Sequence, residues 1–153
     1  MENKSGKEEF LMKKIKDDIY NRIVNVTAEY LCESFEKATK YLSREYKTYY
    51  EAVGKYDKLV ADNLHQLEFI EDVDYYVKGK ELSEYRKRRR KYKKIIEVIE
   101  EIDRILHKYY DFNMAQRKDF KSIDMIVDEI RNTVYDIEEL QNNRYYTAKF
   151  EYD

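Results

Sequence analysis

The sequence predicts an all-α protein: an elongated antiparallel helical bundle, or a set of coiled-coil hairpins, with three to four long helices. Three observations carry that expectation. The 153 residues include no Pro and only 3 Gly, too few turn residues for a sandwich, a barrel or a wound α/β sheet, each of which needs many tight connections. Apolar residues recur in steps of three and four along most of the chain, the spacing that lines one face of a helix. Charged residues make up 41% of the chain but aromatic ones 15%, and disordered chains of such charge are poor in aromatic and branched residues. The length suits a single domain able to bury a core without disulfides or a structural metal.

The first helix is expected over residues 5–53. Ser5-Gly6-Lys7-Glu8 has the spacing of a capping box, and Met12, Ile15, Ile19, Ile23, Val26 and Tyr30 open a stripe that continues through Leu42, Tyr49 and Val53. Gly54 separates it from a second segment, 55–77, with Tyr56, Val60, Leu64 and Leu67 on one face; since a helical glycine costs only about 1 kcal/mol, a turn and a kink both remain open there. Gly79 is the stronger turn candidate. It follows the Asp72/Asp74 cluster and precedes a seam of Leu82, Tyr85, Arg89, Tyr92, Ile96, Ile99 and Ile102, which defines a helix over 80–111. Asn113 with Gln116 offers a further N-cap, opening a helix over 114–146. Residues 147–153 form a tail, read as a frayed end or a short strand. Tyr-Tyr doublets at 49–50, 75–76, 109–110 and 145–146 stand near these boundaries, where a ring can pack while its hydroxyl reaches water. A first helix that overhangs its neighbours would expose an apolar stripe, so a homodimer is expected.

Charge is segregated along the chain. The formal net charge is −2. Residues 1–77 carry 12 basic and 16 acidic groups, residues 78–94 carry 10 and 2, and residues 95–153 carry 8 and 14, so a +8 belt lies between arms of −4 and −6. Cys32 is the single cysteine, which fits a reducing compartment. With no signal-like start and no long apolar run, the expectation is a cytoplasmic protein without a membrane partner.

Within the belt, Arg86-Lys87-Arg88-Arg89-Arg90-Lys91-Tyr92-Lys93-Lys94 holds eight cations in nine residues. Two readings compete. In the first, a chain reversal at Gly79 sets these residues opposite Glu68, Glu71 and Asp72, and a reversal near residue 112 sets them opposite Asp136 and Glu138, so the belt is neutralised internally. Arg89 favours that reading, because it occupies a seam position where an unpaired charge is expensive. In the second, Arg86, Arg88, Arg90, Lys91, Lys93 and Lys94 contact a partner or polyanion, with Tyr92 or Tyr85 stacking on an unpaired base. A localisation tag fits less well inside a structured helix.

Other chemistry finds little support. Asp62-x-x-His65-x-x-Glu68 and Asp103 with His107 are the only histidine-bearing arrangements, and Arg104 stands where a di-iron helix would place a ligand. Glu97-x-x-Glu100 matches half of the magnesium-binding pattern of helical nucleotide pyrophosphatases, but the E-x-x-D half has no counterpart. No glycine-rich phosphate loop or S-x-x-K occurs, and Cys32 has no histidine nearby in sequence. No cofactor, no metal and no enzymatic activity are expected.

Residues 57–106 carry a family likeness. Asp62-Asn63-Leu64-His65-Gln66-Leu67-Glu68-Phe69, then Gly79-Lys80-Glu81-Leu82, then Arg86, Arg89-Arg90-Lys91-Tyr92-Lys93 and Glu97 resemble small helical phage proteins of unassigned function from Gram-positive hosts. The resemblance covers about a third of the chain. It implies a phage or mobile-element protein acting in the host bacterial cytoplasm. The functional expectation is a non-enzymatic interaction protein that binds and modulates a host macromolecule, for example as an inhibitor of a nucleic-acid-binding defence effector such as a CRISPR nuclease. The alternative is a DNA- or RNA-binding protein using the basic helix 86–94.

Overall fold

The fold, in this computed structural model describing residues 14–116 and 121–152, is an all-α helical bundle. Its helices are α1 (Asp18–Glu33), α2 (Phe35–Leu67), α3 (Asp72–Gln116) and α4 (Lys121–Tyr152). Among the described residues no strand occurs, and no helix is long and apolar enough to cross a membrane. The expected tail from residue 147 is helical through Tyr152. The capping box at Ser5 lies outside the described residues.

Side-chain chemistry, more than glycine, decides where these helices end. The Asp17 carboxylate accepts from the amides of Ile19 at 2.8 Å and Tyr20 at 3.3 Å, satisfying donors that have no intrahelical partner. Ser34 then breaks the expected 5–53 helix. Its backbone is extended (φ −168°, ψ 154°), its amide donates to the Tyr30 carbonyl at 2.9 Å, and its hydroxyl accepts from the Lys37 amide at 3.1 Å. One residue therefore closes α1 and caps α2.

Neither Gly54 nor Gly79 is a joint. Gly54 lies inside α2 and Gly79 inside α3, and a Cβ at either would meet nothing within 4 Å, so neither site requires glycine. The reversal instead falls at residues 68–71. There the Glu68 and Phe69 amides reach back to the His65 and Gln66 carbonyls at 3.2 and 3.0 Å, tightening the last turn of α2. The acidic run Glu71, Asp72 and Asp74 follows, and negative charge is favoured where a helix begins. Asn113 likewise opens no helix, since it lies within α3, which continues to Gln116. The doublet Tyr49-Tyr50 sits in the interior of α2 and marks no boundary.

The chain gathers into two compact units, Met1–Leu42 with Glu100–Asp153, and Ser43–Ile99. In the first, α1 packs against α4. The pairing is antiparallel: the Tyr20 hydroxyl donates to Gln141 at 3.1 Å, and Arg131 donates to Asn25 at 3.1 Å. Ile23, Val24, Leu31, Ile102, Leu106, Ile126, Ile130 and Val134 are all at most 2% exposed and supply an aliphatic core. Glu138, expected opposite the basic belt, has another task. Its carboxylate accepts from the backbone amides of Lys16 and Asp17, each at 2.9 Å, and so ties the entry of α1 to α4.

The second unit is an antiparallel hairpin of α2 and α3 with a tyrosine-rich seam. Tyr49 packs on Tyr92, Tyr92 on Tyr56, and Tyr56 on Tyr85, with centroid separations of 5.8, 5.6 and 6.1 Å, in the range where aromatic pairs attract. Further along, Asn63 donates to Glu81 at 3.3 Å. Val53, Leu82, Ile95, Val98 and Ile99 are buried in the same unit.

Candidate functional site: the cationic face of α3

The register of the second unit determines what the basic segment can do. Because the chain turns at 68–71, residues 86–94 lie against the stretch of α2 around Tyr49, Tyr56 and Asp57. They do not lie against 68–72. Glu68, Glu71 and Asp72 are therefore not the partners that a reversal at Gly79 implies. Internal engagement is limited to the flanks of the seam, where Arg89 meets a carboxylate and Arg88, itself exposed, meets a hydroxyl. Arg89 pairs with Asp57, and Arg88 donates from Nη1 to the Tyr56 hydroxyl at 3.0 Å. That hydrogen bond holds the Arg88 pKa above its ordinary value. Lys94 is half-buried and engaged within the protein.

The remaining cations face solvent. Arg86, Lys87, Arg90, Lys91 and Lys93 are exposed, and among the described residues no acidic side chain forms an ion pair with any of them. At about 100° per residue these five side chains occupy an arc of roughly 160° on the side of α3 away from the tyrosine seam. From residue 86 to 93 the rise is about 10 Å. The result is a dense, one-sided cationic face on a helix whose opposite side is locked in packing.

Tyr92 and Tyr85 do not belong to that face. Both are half-buried, with rings packed on Tyr49 and Tyr56, which is not the exposed placement that stacking on a base requires. Beside the face lies a groove of about 580 Å³ lined by Asp57, Val60, Ala61, Leu64, Arg86, Arg89 and Arg90. Asp57, Val60 and Ala61 carry no motif, and only the turn position brings them beside the arginines. Lys87 also joins the face, although it was absent from the expected contact set.

The other candidate clusters resolve into local pairs. His65 stands 3.9 Å from Glu68 and packs edge-on against Phe69, and His107 stands 3.3 Å from Asp103. Arg104 pairs with Glu101 at 3.0 Å, and Glu129 accepts from Lys108 at 3.4 Å and from the Tyr109 hydroxyl. Among the described residues no group of three or more His, Cys, Asp or Glu side chains is arranged to hold a metal ion. In comparison with known proteins, the chain matches no family model, no curated protein and no solved structure.

Proposed function

We propose that the protein is a non-enzymatic interaction protein that binds nucleic acid, DNA or RNA, through the cationic face of α3. The observation that carries this reading is the set of five exposed cations, Arg86, Lys87, Arg90, Lys91 and Lys93, without an ion pair among the described residues. Like charges at four-residue spacing repel one another and oppose helix stability. A polyanion relieves that repulsion and gains the entropy of released counterions. A single helix also fits the width of a duplex major groove, where its two flanks approach the two phosphate backbones. The test is fluorescence anisotropy of a labelled oligonucleotide over a salt series. Binding is expected at low salt, with the logarithm of the association constant falling linearly against the logarithm of salt concentration. Absence of binding at low salt would sink the reading.

A second reading rests on the opposite charge of the other unit. By sequence, the unit formed by Met1–Leu42 and Glu100–Asp153 holds 16 basic and 21 acidic residues, a net −5, whereas Ser43–Ile99 holds 14 and 11, a net +3. An inhibitor that competes with nucleic acid for a cationic channel is suited by an acidic unit, whereas the α3 face would be repelled from that channel. The likeness to phage proteins supplies the setting, a bacterial host. Titration of a CRISPR nuclease is expected to reach full inhibition at a fixed molar ratio, without turnover. Unchanged nuclease activity at molar excess would count against it.

A further inference from the structure

The groove beside the cationic face combines two chemistries that a simple phosphate contact does not require. Arg86, Arg89 and Arg90 line it from α3, and Asp57, Val60, Ala61 and Leu64 line it from α2. Arg86 and Arg90 are four residues apart, so their Cβ atoms are about 5–6 Å from each other on one face of α3, close enough for both guanidinium groups to converge on one phosphate. Asp57, the acidic member of the lining, is already met by Arg89. The remaining pair leaves the groove cationic. Leu64 is a large apolar side chain left 42% exposed, in a cleft whose volume falls in the range of ligand sites.

We propose that this groove is a nucleotide subsite for single-stranded nucleic acid, with Arg86 and Arg90 holding a phosphate and the flat face of an unpaired base covering Val60, Ala61 and Leu64. This inference rests on the nucleic-acid reading and assigns its strand preference. A duplex presents the same phosphates to Lys87, Lys91 and Lys93, but its base faces are stacked on one another and unavailable to the apolar residues of the lining. A single strand offers phosphate and base together. An acidic peptide would satisfy the arginines but carries no obligatory flat apolar group beside each charge. The groove thus distinguishes ligands that the exposed face alone treats alike.

The experiment compares an oligothymidylate with a duplex of equal length at the same salt, for the intact chain and for Leu64→Gln. The single strand is expected to bind more tightly, and Leu64→Gln to weaken it about fivefold, the lower end of what a base stacked on a side chain contributes, while leaving duplex affinity unchanged. Retained duplex binding also shows that the variant is folded. Equal affinity for both probes, or a Leu64→Gln effect that is absent or shared by both, overturns the subsite while the nucleic-acid reading stands. Failure of both probes to bind at low salt overturns both. Polyglutamate binding as tightly as oligothymidylate, undiminished by Leu64→Gln, overturns the subsite in favour of an acidic protein partner.

Discussion

Replacing Lys87, Lys91 and Lys93 together by Gln is expected to weaken oligonucleotide binding roughly 100-fold near 0.1 M salt. Each lost phosphate contact removes about 0.7–0.9 from the slope of log affinity against log salt, so the salt series of the triple variant should be shallower by about 2–3. These three residues are exposed and lie outside the groove lining, so single-stranded and duplex probes should lose affinity alike. Thermal stability should hold or rise slightly. Gln and Lys have similar helix propensities, and the change removes repulsion between like charges four residues apart. The combination of lost affinity, shallower salt dependence and intact folding separates a binding face from a merely solvated one. An unchanged slope in the triple variant would place binding elsewhere on the molecule.

Ile23→Ala is expected to destabilise the protein by about 2–5 kcal/mol, the range for truncating a fully buried aliphatic side chain. Ile23 is 0% exposed on α1, in the unit whose core is aliphatic. For a chain of this length, 3 kcal/mol corresponds to a melting shift of about 6–12 °C. The matched control is Tyr50→Ala. Tyr50 is 62% exposed and stacks on Tyr46 at 5.9 Å, so its loss should stay within about 1 kcal/mol. Chemical denaturation followed by circular dichroism reads both variants. Equal midpoints for the two would contradict the burial assigned to α1.

Why the turn at 68–71 escapes a sequence reading is instructive. Gly54 and Gly79 are the conspicuous breakers, but each costs a helix only about 1 kcal/mol, less than the packing gained when the flanking residues stay on one seam. Residues 68–71, Glu68-Phe69-Ile70-Glu71, contain no glycine or proline. The signal that was legible is the acidic cluster that follows, which suits a helix start. Ser34 could also have been found, as a good N-cap residue between Glu33 and Phe35. The apolar periodicity passes through it almost without interruption, because α1 and α2 each keep a buried stripe.

The turn position propagates into the candidate site. A reversal at 68–71 pairs Tyr56 and Asp57 with Arg88 and Arg89, draws Tyr85 and Tyr92 into the seam, and leaves most of the belt unpaired. A reversal at Gly79 would have aligned the belt with acidic residues and hidden it. The tyrosines show the same dependence. Their amphipathic rings suit a bundle end, a stacking platform or a seam equally well, and their neighbours decide which.

By itself the sequence determined the helical class, the apolar stripes and the concentration of cations at 86–94, because composition and periodicity are properties of the chain alone. Only the tertiary structure decided where the helices end, which residues oppose the belt, and that Glu138 serves backbone amides at the start of α1. The physical reason is that burial and charge pairing depend on register. In a helical hairpin the register is set by the position of the turn, and that position follows from the packing free energy of the whole seam more than from any local breaker.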